Sequence, residues 1–196
     1  MRMRSVETGA GYTPEMAPTR TLASAAKSTR IRAYPEVCMD GKRELLRHVV
    51  ATIAYRGGKA LRGAPAGFGQ FRAAAGSRSA VEILDHLGDL FDWGTELAAR
   101  EGAWREVKSA DWEVAEARFF SGLARLDAVL SVPDELRCSE EKLFQGPLAD
   151  SLTHIGQIAM LRRLAAAPVR GENYARADIA AGRVGAEQSA PRREFD

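Results

Sequence analysis

A chain of 196 residues carrying a formal net charge of +2 is long enough for one domain with some excess. Its hydrophobic fraction of 45% and charged fraction of 28% are ordinary for a globular protein, and no apolar run reaches the ~18–20 residues that span a bilayer. So even a balance, without a lysine-rich patch or basic residues interleaved with aromatics, gives no ground for a nucleic-acid or membrane partner, and a cytoplasmic protein is expected.

Residues 1–38 are rich in Ser, Thr, Ala and Arg and show no sustained apolar periodicity. They lack the apolar stretch of a secretory signal and are predicted to form a flexible, dispensable extension. Two cysteines, Cys38 and Cys138, stand far apart without metal-ligand spacing and read as free, reduced thiols.

Four helices are predicted between residues 39 and 168. The first runs from about Lys42 to Leu61, with Leu45, Leu46, Val49, Ile53 and Leu61 near one stripe and Gly57–Gly58 weakening it. A long, glycine-rich connection follows and reads as a crossover or lid anchored by Phe68 and Phe71; it lacks the Gly-Lys-Ser/Thr ending of a phosphate loop. The second helix opens with the capping box Ser79–Glu82 and carries Ile83, Leu87, Leu90 and Leu97 to about Ala99. Asp111 is the expected N-cap of the third, whose apolar face is Trp112, Phe119, Leu123 and Leu126, with Pro133 ending that region. The fourth is predicted to start with Pro147 in its first position and to stop at Pro168. Nothing reads as a strand. Helices this long, each apolar on one side, pack most simply as an all-α four-helix bundle, with residues 169–196 as a polar tail lying against it.

The polar residues inside that pattern carry the chemistry. His48, His86 and His154 are the only histidines, one on each of three predicted helices. His86 falls on the apolar stripe of Ile83, Leu90 and Trp93, with Asp85, Asp89 and Asp92 expected to flank it towards solvent. Asp150 and His154, four apart, share a face that continues into Leu161, and Gln157 follows one turn later. Burying an imidazole or a carboxylate without a partner costs several kcal/mol, so these groups must be paired or metal-bound. Helix bundles build metal sites from inward side chains on facing helices, and two imidazoles with one carboxylate suit Zn²⁺ and other divalent transition metals. The same residues are compatible with a non-catalytic module whose polar core sets register, or with a stress-related protein using a metal structurally.

The "EILDHLGDLFDW" and "DSLTHIGQIAMLRRLA" segments together resemble the DinB-like superfamily of four-helix bundles. There a histidine on the second helix joins an H-x-x-x-H pair on the fourth, often followed by Gly-Gln. "HIGQ" is similar to the second half of that motif, which assigns His154 and His86 as metal ligands; Asp150 stands where the motif has its first histidine. The resemblance spans about residues 42–166. It implies a small metal-dependent transferase or hydrolase and a homodimer. It further implies zinc or nickel, and a low-molecular-weight thiol of the bacillithiol or mycothiol kind. His48 is the alternative third ligand, with Tyr55 two turns further on expected to line the same cavity. Gln157 is a candidate for orienting a ligand, or a simple surface residue. An apolar cleft bordered by Tyr55, Phe68, Phe71 and Trp93 is the expected substrate pocket.

Overall fold

The computed structural model describes residues 37–100 and 102–195. Within them the chain is mostly helical. Helix α1 covers Val37–Leu61 and buries Leu46, Val50, Ile53, Ala54 and Leu61 along one face. Of the predicted stripe Leu46, Ile53 and Leu61 are buried and Val49 packs against the core. Leu45 departs from it, 62% exposed, because it stands one residue, about 100° of helical rotation, from Leu46. The extension expected over residues 1–38 lies outside the described residues up to residue 36, and residues 37 and 38 open α1.

Helix α2 (Ala80–Ala99) starts with both halves of the Ser79–Glu82 capping box, and α3 (Trp112–Ser131) starts at Asp111, whose carboxylate accepts from Val114 N. Between α1 and α2 a 3-10 turn over Phe68–Gln70 inserts Phe68 into the core, edge-on to Trp112 at 5.3 Å and stacked with Phe71.

The last long helix begins earlier than Pro147. Ser139 caps a short helix α4 (Glu140–Leu143) by accepting from Lys142 N, and α4 runs through a π-helical turn, Phe144–Leu148, into α5 (Ala149–Leu164). Pro147 therefore sits inside the helical run. Proline has no N–H to donate and its ring obstructs an ordinary helix; here the wider turn accommodates it, with Ala149 N donating to Phe144 O five residues back. The buried Ser151 hydroxyl donates to Pro147 O. Gly94 of α2 makes the room, since a Cβ there would lie 3.2 Å from the proline ring.

Helix α1 packs on α3 and α5, and α2 packs on α3 and α5. The core between them is built from side chains such as Phe91, Phe119, Leu84, Leu123, Leu148 and Ile158. Arg162 closes one end. Its buried guanidinium donates to the carbonyls of Ala60, Arg62, Gly63 and Ala167, taking up the acceptors left open at the C-terminus of α1. The chain after α5 returns along α1. A two-residue antiparallel pair, β1 (Gly171–Glu172) with β2 (Glu194–Phe195), ties its ends together with Gly171 opposite Phe195, so the tail does contain strand pairing that the sequence did not announce. Among the described residues no helix is long and apolar enough to cross a membrane.

At Gly57, α1 packs directly against the Phe119 ring of α3. A Cβ at that position would stand 2.3 Å from Phe119 Cζ, on a ring with no exposed surface to move into. Overpacking costs about 1–3 kcal/mol, against a helix-propensity gain of at most ~1 kcal/mol. Gly57→Ala is therefore expected to destabilise. At the neighbouring Gly58 the nearest atom is 3.5 Å away, and Gly58→Ala should be neutral or stabilising. Denaturant unfolding of the two variants checks this; a Gly57→Ala protein as stable as its parent would contradict the packing.

Candidate metal centre

Helices α2 and α5 bring His86, Asp150 and His154 together. One ligand atom from each lies within 4.8 Å of the other two. His86 Nε2 is 3.6 Å from Asp150 Oδ2, His154 Nε2 is 3.4 Å from Asp150 Oδ1, and the two imidazole rings meet edge to face with centroids 4.6 Å apart. Two donors on one tetrahedral ion stand about 3.3 Å apart, so these separations fit a shared divalent cation with adjustments of about an ångström. The donor set of two neutral nitrogens and one carboxylate oxygen suits a divalent transition metal.

Local sequence explains the convergence. Asp150 and His154 are separated by one turn of α5, and the apolar Leu148, Ile155 and Ile158 fix which side of α5 faces the core. His86 is held on α2 between buried Ile83 and Leu87. The imidazoles are nearly enclosed, with side chains 16% and 12% exposed, whereas the Asp150 side chain is 46% exposed. Burial pushes the pKa of His86 down, and the nearby His154 and Arg78 charges add to that against the opposing pull of Asp150 and Asp89. A neutral imidazole is the form that coordinates.

Gln157 has a partner here. Its Oε1 lies 2.9 Å from His154 Nδ1. An amide oxygen accepts, so Nδ1 carries the proton and the Nε2 lone pair faces Asp150 and His86. A carbonyl acceptor on the far nitrogen is the usual way of orienting a ligating histidine.

Asp85 and Asp89 are not at the surface. They are 4% and 3% exposed, and they bind the segment between α2 and α3. Ser109 donates its N–H and its hydroxyl to Asp85, and Val107 N donates to Asp89. Arg118 of α3 pairs with Asp89 and Asp92 and donates to Asp85 O. Burial raises the Asp89 carboxyl pKa despite Arg118 and Val107. These bonds strap residues 102–110 across α2 and put Trp104 beside the triad, 5.4 Å from His86 by ring centroids. Trp93 meets Trp104 edge to face at 5.8 Å and lines a cavity of about 380 Å³ with Asp150.

Two expected contributors lie elsewhere. His48 is exposed on α1, two residues from each of the inward-facing Leu46 and Val50 and so on the opposite side of the helix. Tyr55 is buried, but its hydroxyl donates to Glu172 Oε1 in the tail. The expected cleft is likewise corrected: of its four aromatics only Trp93 borders a cavity at the triad, while Phe68 and Phe71 belong to the core around Trp112. Trp104, absent from the sequence reading, takes their place. The clue was a tryptophan in the polar stretch "EGAWREVKSAD", where no helical stripe is available to bury it.

No known protein family, curated protein or solved structure matches this chain.

Proposed function

We propose that the chain is a DinB-like four-helix bundle and a metal-dependent enzyme for a small molecule, with His86, Asp150 and His154 holding zinc or nickel. One observation carries the proposal: three ligand atoms from two helices, more than 60 residues apart in sequence, converge within 4.8 Å in a partly enclosed site. When bound, such an ion supplies Lewis acidity towards a thiol or a water molecule. The chain's own residues do the rest. Gln157 holds His154 in the tautomer that presents Nε2 inward. Enclosure lowers the pKa of His86 and so favours its neutral form. Trp104 and Trp93 border the site on one side, and cavities on the other sides leave room for a substrate. Transfer or hydrolysis, a low-molecular-weight thiol and a homodimer belong to the same proposal through the resemblance.

A second possibility rests on Asp150. Its carboxylate lies 3.6 Å and 3.4 Å from the two imidazole nitrogens, so a protonated imidazole can pair with it within a non-catalytic module. Calorimetric titration of the chelator-treated full chain with Zn²⁺ separates the two. The metal proposal expects one equivalent bound, and weaker binding as pH falls because protons compete for the imidazoles. No binding would leave the self-paired cluster.

A further inference from the structure

Taking the triad as the functional centre, we infer that the site accepts a small amphipathic carboxylate. Arg78 holds its anionic group, and its apolar part lies along α5 beside His154. Two cavities flank the imidazoles. One, about 460 Å³, is walled by Ile83, Met160, Leu161 and Leu164 with His154 and Gln157 at its head. The other, about 320 Å³, is polar and borders His86. Arg78 lines both, so it stands where they meet.

Of the cations on these walls, Arg78 and Lys108 bind none of the described residues, and of the two only Arg78 borders both cavities. Arg72 forks onto Glu82, and Arg118 is taken by Asp89 and Asp92. Asp85 is satisfied by Ser109. Lys108 and Glu106 line the polar cavity alone and have no place on the apolar wall. Arg78 makes no hydrogen bond or ion pair with the described residues, and it is exposed just ahead of the Ser79 cap. A guanidinium presents several donors in a planar fork that matches a carboxylate. The apolar wall supplies the complementary feature, since Met160 and Leu164 are more than half exposed in a groove large enough for a medium-length alkyl chain. Charge at one end and an apolar channel leading from it define the ligand class.

The test uses octanoate and the neutral octanamide of equal length as probes, titrated into the EDTA-treated full chain and followed by amide chemical shifts. With no ion present, the carboxylate cannot be held by a metal. Octanoate is expected to bind about tenfold more tightly than octanamide, with shifts centred on residues 78, 154 and 160–164. Arg78→Gln should erase that preference, Arg78→Lys should keep part of it, and Met160→Ser should weaken both probes alike. Equal affinity for the two probes, or a preference that survives Arg78→Gln, would overturn the inference. Zinc stoichiometry of Arg78→Gln is expected to equal that of the parent chain. A parent that binds no zinc while preferring octanoate through Arg78 would remove the metal proposal and leave the anion site standing, so the two fail separately.

Discussion

Replacing Glu172 with alanine is expected to lower stability by about 3–5 kcal/mol, the cost of leaving one member of a buried charged pair unmatched. Glu172 has no exposed side-chain surface, and Lys59 has 8%. The carboxylate accepts from Tyr55 Oη at 2.8 Å and from Lys59 Nζ at 2.7 Å, and Lys59 reaches on to Glu194 at 2.7 Å. This knot joins both strands of the tail to α1. Without Glu172 the Lys59 ammonium keeps one half-enclosed partner and the Tyr55 hydroxyl loses its acceptor. For a chain of this size the loss corresponds to a melting-temperature fall of about 6–20 °C. Cleavage within the tail, at Arg176 or Arg183, should accelerate with it. The double variant Lys59→Met/Glu172→Leu should recover most of the stability, because well-packed apolar residues replace buried ion pairs at little cost. A fall below about 2 °C in Glu172→Ala would show that the knot contributes little.

The pH dependence of that knot has a definite sign. Burial would raise the pKa of Glu172, but the bonds from Lys59 and Tyr55 outweigh it and hold the carboxyl below its ordinary value. Its contribution is present above the unfolded value of about 4.3 and is lost as pH falls through the folded one. Lys59 is disfavoured by burial yet raised overall by its two carboxylates. Its contribution is present below about 10.4 and is lost as pH rises through the folded value. Melting temperature should therefore fall towards both extremes in the parent chain and more weakly in the double variant.

Whether a feature could be read from the sequence depended on how local its cause is. The caps of α2 and α3 were legible because Ser79 with Glu82, and Asp111 with Val114, act within three residues. The helical run into α5 begins before Pro147, although a proline ordinarily marks a first turn, because a π turn and the space at Gly94 let Pro147 sit inside it. Ser139 held the true start signal. His86, Asp150 and His154 stood out as polar side chains on apolar stripes. Asp85 and Asp89 did not, since their partners Val107 and Ser109 come 18 and 24 residues later from a segment without periodicity. Tyr55 was assigned to the wrong neighbour for the same reason: Glu172 is 117 residues away. No local pattern specifies such a pair.

Removing either imidazole of the triad should abolish stoichiometric zinc, and this is the largest effect expected anywhere in the molecule. His86→Ala and His154→Ala each leave two donors, fewer than the three protein ligands that catalytic zinc sites use. Asp150→Ala should weaken binding severely for the same reason. Asp150→His should keep it while shifting preference towards softer, nitrogen-favouring metals, because imidazole replaces a hard oxygen. Gln157→Ala removes only the group that orients His154, and a tenfold to hundredfold loss of affinity is about what such a partner is worth. His48→Ala, on the exposed side of α1, is the control and should leave zinc unchanged. Protons compete for the same nitrogens, so affinity falls as pH drops. Because enclosure lowers the pKa of His86, competition there begins below the ordinary imidazole value of about 6.5. These outcomes are read by elemental analysis and zinc titration of variants whose circular dichroism matches the parent. Full zinc occupancy in His154→Ala would mean that the ion is held elsewhere, and the three converging side chains would then be an ion-paired cluster alone.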